Sequence, residues 1–525
     1  MKLATIVGHI GGRCKGESPE QRAWETKPAK PEEIKSAIKE QLNGIFAFLE
    51  VPSDSRRFDQ IERELRTLIF SLARLFLAYL LARRQEHSGI VVASWLRCGF
   101  RRRDLARKHL STFFGRVTFW RTYVRKPGET GFHPLDLALG LTADGFSFLV
   151  MEMCARLSTL ASYEQVTGLL LYFLSWSPSK TTVEKAVLGF GRHSGDWFAA
   201  APPPQGDGEV LVIQIDSKAT PTATEEELEK RRGKRDESKR PLSPRHRGRA
   251  KRKRRGTKRR RRKGDKSKNG KAATIVVMYT LKRARDKDGK PVLLGPINKR
   301  VYASYAPKRH AFAIARREAR KRGFGAKSRK TIHIVTDGDE DLERYSKDFF
   351  PKARHTLDIM HVLEYFWEAG RFAFKEGSDE LTAWVKKQER RLYRGKAADA
   401  ILALNEFQVG SEKQDRLEQI QSYLQKRMGM MDYDELRQHD LDVASGAVEG
   451  AVRHVIAKRF DSSGMRWIRE RAEALLQLRC IEINGDWDAF VAFVAERVAH
   501  SQADGQTLRV LNTRAASLPK FGLVA

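Results

Sequence analysis

Two aspartates in this chain each follow an apolar run of strand character. Asp216 comes directly after EVLVIQI (Glu209–Ile215), and Asp337 directly after TIHIVT (Thr331–Thr336). If the two runs lie adjacent and parallel, both carboxylates leave the same sheet edge on strands roughly 4.8 Å apart. Carboxylates at that spacing can share two divalent ions about 3.5–4 Å from each other, as in-line phosphoryl transfer requires. One ion sharpens a water or 3′-hydroxyl nucleophile, and the other stabilises the leaving oxygen. Oxygen ligands and a nucleic-acid substrate point to Mg²⁺, with Mn²⁺ able to substitute.

A third carboxylate has to come from the helices after the sheet, and Glu449 in SGAVEGAVRHVIAKRF (Ser445–Phe460) is the candidate. There Val448, Val452, Val455 and Ile456 can face the sheet, while Glu449 and Arg453 share an adjacent face. Gly446, Ala447, Gly450 and Ala451 read as small residues that let the helix approach the site closely. Each acid also has a plainer use. An Asp after a strand serves as a turn former or helix N-cap, and a lone helical Glu is an ordinary surface residue.

The elements that must position these groups follow from the hydrophobic pattern. After the linker AAPPPQG (Ala200–Gly206) the expected order is a strand ending at Asp216, then strands over Ala273–Leu281 and Lys299–Ala306 around the turn-forming DKDGKP. A helix from Arg309 to Arg322, the strand Thr331–Thr336, a helix near Asp341–Phe350 and a short strand His355–Asp358 come next, and helices thereafter. Three strands, helix, strand, helix, strand is the order of an RNase H-like fold, whose first three strands meander and whose fourth returns parallel to the first. The expected class is therefore α+β and multidomain, with a five-stranded mixed sheet. The RNase H-like domain would comprise residues 207–360 and 441–495, interrupted by a helical insertion at 361–440. A tail would occupy 496–525.

Upstream, residues 1–99 read as a helical region. Within it a helix is expected over Pro31–Glu50, and Ile61, Leu65, Leu68, Ile69, Leu72, Leu75, Phe76, Tyr79 and Leu80 form a helical core stripe. Residues 100–200 read as a mainly helical DNA-binding region. It contains a hairpin in STFFGRVTFWRTYVRKPG (Ser111–Gly128) and a helix-turn-helix candidate, Tyr163–Phe173 then Thr181–Phe190, with Ser179 as N-cap. The apolar segment Leu68–Ala82 carries Arg74 and is short for a membrane span. No membrane association is expected.

Composition narrows the class. The chain has 525 residues, 41% of them hydrophobic, which excludes a wholly disordered protein, and a net charge of +34, which calls for a polyanionic partner. The charge is concentrated: Lys230–Lys271 holds 24 Lys and Arg against three acids. This tract, at 229–272, is expected to be a disordered basic loop inside the catalytic domain. Its runs include Arg254 and Arg255, then Lys258, Arg259, Arg260 and Arg261, placed to meet phosphates. Four cysteines, far apart and without CxxC spacing, suggest neither a disulfide framework nor a zinc knuckle, and fit a cytoplasmic protein.

Several long words carry a resemblance: IDSKATPTATEEELEKRRGKR, IVTDGDEDLERY, LDIMHVLEYFWEAG and GAVEGAVRHVIAKRFDSSGMRW, with HPLDLALGL (His133–Leu141) upstream. Together they resemble a DDE transposase of the ISKra-type bacterial insertion-sequence family, related to mutator-like transposases. The matching segments run from about residue 130 to 480. The resemblance implies that Asp216, Asp337 and Glu449 are the catalytic, metal-holding triad. It makes Asp358 and His361 similar to the Cys/Asp-x-x-His element of mutator-like transposases, as supporting or DNA-positioning residues. Arg466 and Trp467 match a further family word, and with Arg453 are placed in the same supporting group.

The expectation is a cytoplasmic, nucleoid-associated bacterial transposase. It would bind double-stranded DNA at the terminal inverted repeats of its element, then cut and join strands with Mg²⁺. A homodimer or larger assembly on DNA is expected, because two ends must be brought together. The alternatives are an RNase H-like nuclease or resolvase that cuts without joining, and a non-catalytic nucleic-acid-binding protein.

Overall fold

The computed structural model describes residues 27–51, 56–128, 131–142, 144–223, 270–325, 328–408, 410–441, 443–461 and 467–503. The basic tract, including Arg254, Arg255, Lys258, Arg259, Arg260 and Arg261, lies outside the described residues, as does Arg466. The chain divides into two compact units, Met1–Phe198 with Gly485–Ala525, and Ala199–Asn484.

In the first unit, helix α1 (Pro31–Leu49) packs Ile34, Ala37, Ile38 and Ile45 against Leu72 and Leu75 of α2 (Phe58–His87). The stripe expected on α2 is only partly core: Ile69, Phe76 and Leu80 are exposed. Counted with the following helix α3 (Gly89–Arg97), the stretch Phe58–Arg97 is long and apolar enough to cross a membrane by length and composition alone, a test that the core helix of a soluble protein also passes. In this structure part of it is core, and Leu81 packs with Leu110, Val117 and Phe119 of a β-hairpin.

The hairpin pairs β1 (Arg101–Thr112) with β2 (Gly115–Arg125). Its first strand begins at Arg101, well before the expected start, because the cationic residues lie on its exposed half. Helix α4 (Pro134–Ala138) gives the HPLDLALGL block a structural use. Asp136 takes both Lys108 (3.1 Å) and Arg121 (2.9 Å) from the hairpin in a largely buried cluster. Helix α5 (Phe148–Leu160) leads to α6 (Tyr163–Leu174) and α7 (Lys180–Gly191), which reproduce the helix–turn–helix layout. Ser179 caps α7 by accepting from the Thr182 N–H at 3.2 Å. Helix α8 (Ser194–Ala200) follows.

The second unit is built on a mixed sheet of order β5-β4-β3-β6-β7, in which β3 is the central strand. These strands are β3 (Val210–Ala223), β4 (Gly270–Arg285), β5 (Pro291–Ser304), β6 (Thr331–Thr336) and β7 (Arg354–Leu357). β3–β4 and β4–β5 are antiparallel, whereas β3–β6 and β6–β7 are parallel. Val210–Ile215 is almost wholly buried, as expected of a strand flanked on both sides and covered on both faces.

Three boundaries differ from the sequence reading. β3 does not end at Asp216: Ser217–Pro221 keep pairing with β4, as far as Pro221↔Gly270. β5 starts at Pro291 rather than Lys299, with register shifts that hide its alternation. Residues 270–272, assigned to the basic loop, are part of β4.

Helix α9 (Lys308–Lys321) packs Ala311, Phe312, Ala315 and Ala319 into the core. Helix α10 (Glu340–Phe349) is capped by Asp339, which accepts from the Asp341 and Leu342 N–H groups. The insertion comprises α11 (Ile359–Ala373), α12 (Asp379–Leu392), α13 (Ala397–Leu402), α14 (Ser411–Lys426) and α15 (Tyr433–Gln438), around Val362, Phe366, Leu392, Ile420 and Leu424. Trp367 and Trp384 pack against that core. The chain returns to the sheet through α16 (Gly446–Ala451), which runs on through one π turn (Val452–Ala457) to Phe460.

A two-residue strand β8 (Trp467–Ile468) then pairs with Thr222 and Ala223, and α17 (Arg469–Ile483) is buried along most of its length. Helix α18 (Trp487–Ala503) belongs to the first unit, not to the sheet domain to which residues up to 495 were assigned. Its Trp487 donates to Glu152 at 3.3 Å.

Candidate functional site

The strand register sets the site. Ile215 pairs with Thr336 at the last rung between β3 and β6, so Asp216 and Asp337 emerge together where β6 stops and β3 continues. Each carboxylate accepts one local backbone N–H on Oδ1, from Ser217 and from Asp339 (3.0 Å), and among the described residues Oδ2 of each has no hydrogen-bond partner. Burial pushes the Asp216 carboxyl above the usual carboxylate range, and the neighbouring charges of Asp337 and Glu449 push it further. His361 pulls in the opposite direction.

Asp337 turns into Gly338, whose φ of +79° few residues with a side chain adopt. A Cβ there would stand 2.0 Å from the Tyr423 hydroxyl and 2.7 Å from Leu357 Cδ1. That hydroxyl donates to the Asp337 carbonyl at 2.9 Å. Tyr423 is itself held between the Tyr365 ring (4.6 Å) and the Arg427 guanidinium (4.1 Å). The insertion therefore grips the Asp337 turn directly.

Asp358 follows β7 as the N-cap of α11 and is fully buried. It accepts from the Met360 N–H (2.9 Å), His361 Nδ1 (2.9 Å) and the Ser445 hydroxyl. Although burial raises its pKa, the bonds from His361 and Ser445 hold the carboxyl below its ordinary value. The same bond from Asp358 raises His361 to about 9, so the imidazole is charged at neutral pH. Ligand atoms of Asp358, His361 and Glu449 lie within 4.8 Å of one another. Asp358 accepts three donors on its two oxygens and so anchors His361.

Glu449 is exposed, on the first turn of α16, with Arg453 exposed one turn on. Val448, Val455 and Ile456 are buried beneath them, whereas Val452 is only half-buried. The glycine argument for this helix does not hold, since a Cβ at Gly446 or Gly450 would meet nothing within 4 Å. What seats the helix is Gln214, which no sequence signal marked. Trp467 lies against Phe460 (5.2 Å between ring centroids) and beneath Arg459 (4.7 Å), and helps hold β8 in place.

A hard divalent cation fits this donor set. Asp216 and Asp337 leave neighbouring strands, each with Oδ2 unpartnered among the described residues, and burial, then the charges of Asp337 and Glu449, disfavours the ionised form of Asp216. A cation between them would relieve that repulsion.

Over 438 residues the chain is 22% identical to a protein of Streptococcus gallolyticus described as a UPF0236 protein in the vanSb 3′ region. The alignment covers 83% of this chain and 85% of that protein. No family model matches the chain.

Proposed function

We propose that the protein is a DDE-type transposase, resembling the ISKra-type family, that cuts DNA at the ends of its element and joins the freed 3′-hydroxyl to a target. The observation that carries this reading is that Asp216 and Asp337 leave adjacent parallel strands at one edge of the β5-β4-β3-β6-β7 sheet, with the charges of Glu449 and His361 acting on Asp216. A meander of three strands with the fourth parallel to the first supports the RNase H-like reading. Asp216, Asp337 and Glu449 would hold Mg²⁺, or Mn²⁺ in its place, which when bound supplies nucleophile activation and leaving-group stabilisation. Asp337 is kept in place by its tight turn and Tyr423, and Asp358 orients His361 so that its charge faces the carboxylates and an incoming phosphate. Catalysis is then positioning and charge neutralisation, with no covalent protein–DNA bond.

The helical pair α6–α7 is the candidate reader of the inverted repeats, and the basic tract a sequence-independent phosphate contact. The protein would work in the bacterial cytoplasm, bound to the nucleoid, as a dimer or larger assembly on its two DNA ends. The test is incubation of labelled end-bearing duplex with the full chain and Mg²⁺ or Mn²⁺. Cutting followed by joining to a second duplex is expected. Cutting without joining would identify a resolvase-like nuclease, and binding without cutting a non-catalytic DNA-binding protein.

A further inference from the structure

Gln214 lies two residues before Asp216 on β3, so both side chains leave the same face of the strand. It is the one polar residue in the run Val210–Ile215 and is 1% exposed. Its amide is fully used. Oε1 accepts from the Val448 N–H at 3.0 Å, while Nε2 donates to the Ala444 carbonyl at 3.3 Å and to the Tyr279 hydroxyl at 3.1 Å. Ala444 and Val448 bracket the start of the helix that presents Glu449.

The residue that ought to cap this helix does something else. Ser445 occupies the N-cap position, but its hydroxyl is turned to Asp358 and makes no cap bond. The Val448 N–H reaches the Ser445 carbonyl at 2.9 Å and shares its hydrogen with Gln214. The first turn is therefore capped from outside, by a side chain of the strand that carries Asp216. Such a cap fixes the axial position of the helix relative to that strand.

We propose that Gln214 is a positioning residue that sets the Glu449 carboxylate at its working distance from Asp216. It acts through the backbone of Val448, next to Glu449, and touches neither DNA nor metal. This rests on the reading above, in which the carboxylates work as one centre.

Gln214→Met keeps the length and volume of the side chain and removes all three bonds. Tyr279→Phe removes one bond of the same amide and leaves both bonds to the helix. With full-length protein, free Mn²⁺ followed by electron paramagnetic resonance gives the half-saturation concentration, and thermal melts confirm folding. For Gln214→Met the expected result is a rise in Mn²⁺ half-saturation of about tenfold, faster hydrogen exchange over 444–450, and DNA affinity within twofold of the native protein. The joining rate at saturating DNA falls about tenfold while the KM for DNA stays unchanged. Tyr279→Phe, at a comparable melting temperature, changes Mn²⁺ half-saturation less than threefold.

A folded Gln214→Met protein with native Mn²⁺ affinity and native joining rate overturns the proposal alone. Equal losses in Gln214→Met and Tyr279→Phe also overturn it, by showing a general packing effect. Absence of Mn²⁺ binding by the native protein overturns both the proposal and the functional reading beneath it.

Discussion

Replacing Gly338 with Ala tests whether the insertion holds the Asp337 turn. At φ +79° a residue with a Cβ is strained, at a cost of about 1–2 kcal/mol. The new methyl, 2.0 Å from the Tyr423 hydroxyl, also forces that hydroxyl off the Asp337 carbonyl, which forfeits a hydrogen bond of about 1 kcal/mol. With some residual overlap on Leu357 Cδ1, the total is about 2–4 kcal/mol, or roughly 3–7 °C in Tm for a unit of this size. Tyr423→Phe alone removes only the hydrogen bond and should cost about 1 kcal/mol. In the double variant the hydroxyl is gone, so Gly338→Ala loses its worst contact and has no hydrogen bond left to break. The double should therefore be less destabilised than the sum of the singles by at least about 1 kcal/mol. Denaturant titration of the four proteins measures this. Additive losses, or a neutral Gly338→Ala, would refute the claim that Tyr423 and the turn are coupled.

Further predictions follow from the charges. His361, raised to about 9 by Asp358, contributes stability that is full below its ordinary value of 6.5 and is lost as pH rises through about 9; His361→Gln should flatten the fall in Tm across that interval. Asp358, held below its ordinary 3.8, contributes stability present above that value and lost as pH falls through its depressed one. Asp216 has the opposite sign: its raised pKa means that ionisation opposes folding above pH 3.8, so Asp216→Asn should raise Tm at pH 7, with the gain vanishing in acid. Far from the carboxylates, Arg322 forms a buried two-bond pair with Asp207 (2.8 and 2.6 Å), and Asp207→Asn should cost about 3–5 kcal/mol by stranding the guanidinium. Replacing Arg254, Arg255, Lys258, Arg259, Arg260 and Arg261 with Gln should lower the slope of log Kd against log salt by up to about 5 for duplex DNA. An unchanged slope would exclude the tract from phosphate contact.

The site was legible in sequence where a local pattern and a chemical requirement coincide. An apolar run closed by an acid marked both Asp216 and Asp337, and the β6 boundaries match the residues Thr331–Thr336. The extent of β3 was not legible, because SKATPTA has neither apolar alternation nor a breaker-free sequence, and it stays extended only through its pairing with β4. Gln214 and Tyr423 were hidden for a different reason. Each acts through a backbone group distant in sequence, Val448 and Asp337 respectively, and no spacing rule connects them. The small residues of α16 show the converse: the composition suggested close approach, but Gly446 and Gly450 face open space.

The central claim is that Asp216, Asp337 and Glu449 act as one metal-dependent centre for DNA strand transfer. The most direct measurement is the joining rate of labelled end-bearing DNA by the native chain, by Asp216→Asn and Glu449→Gln separately, and by the double variant. Each single change should abolish metal-dependent joining while leaving DNA binding intact, and the double should lose no more than either single, as groups acting as a unit do. Joining that survives Glu449→Gln, or losses that multiply in the double variant, would contradict it.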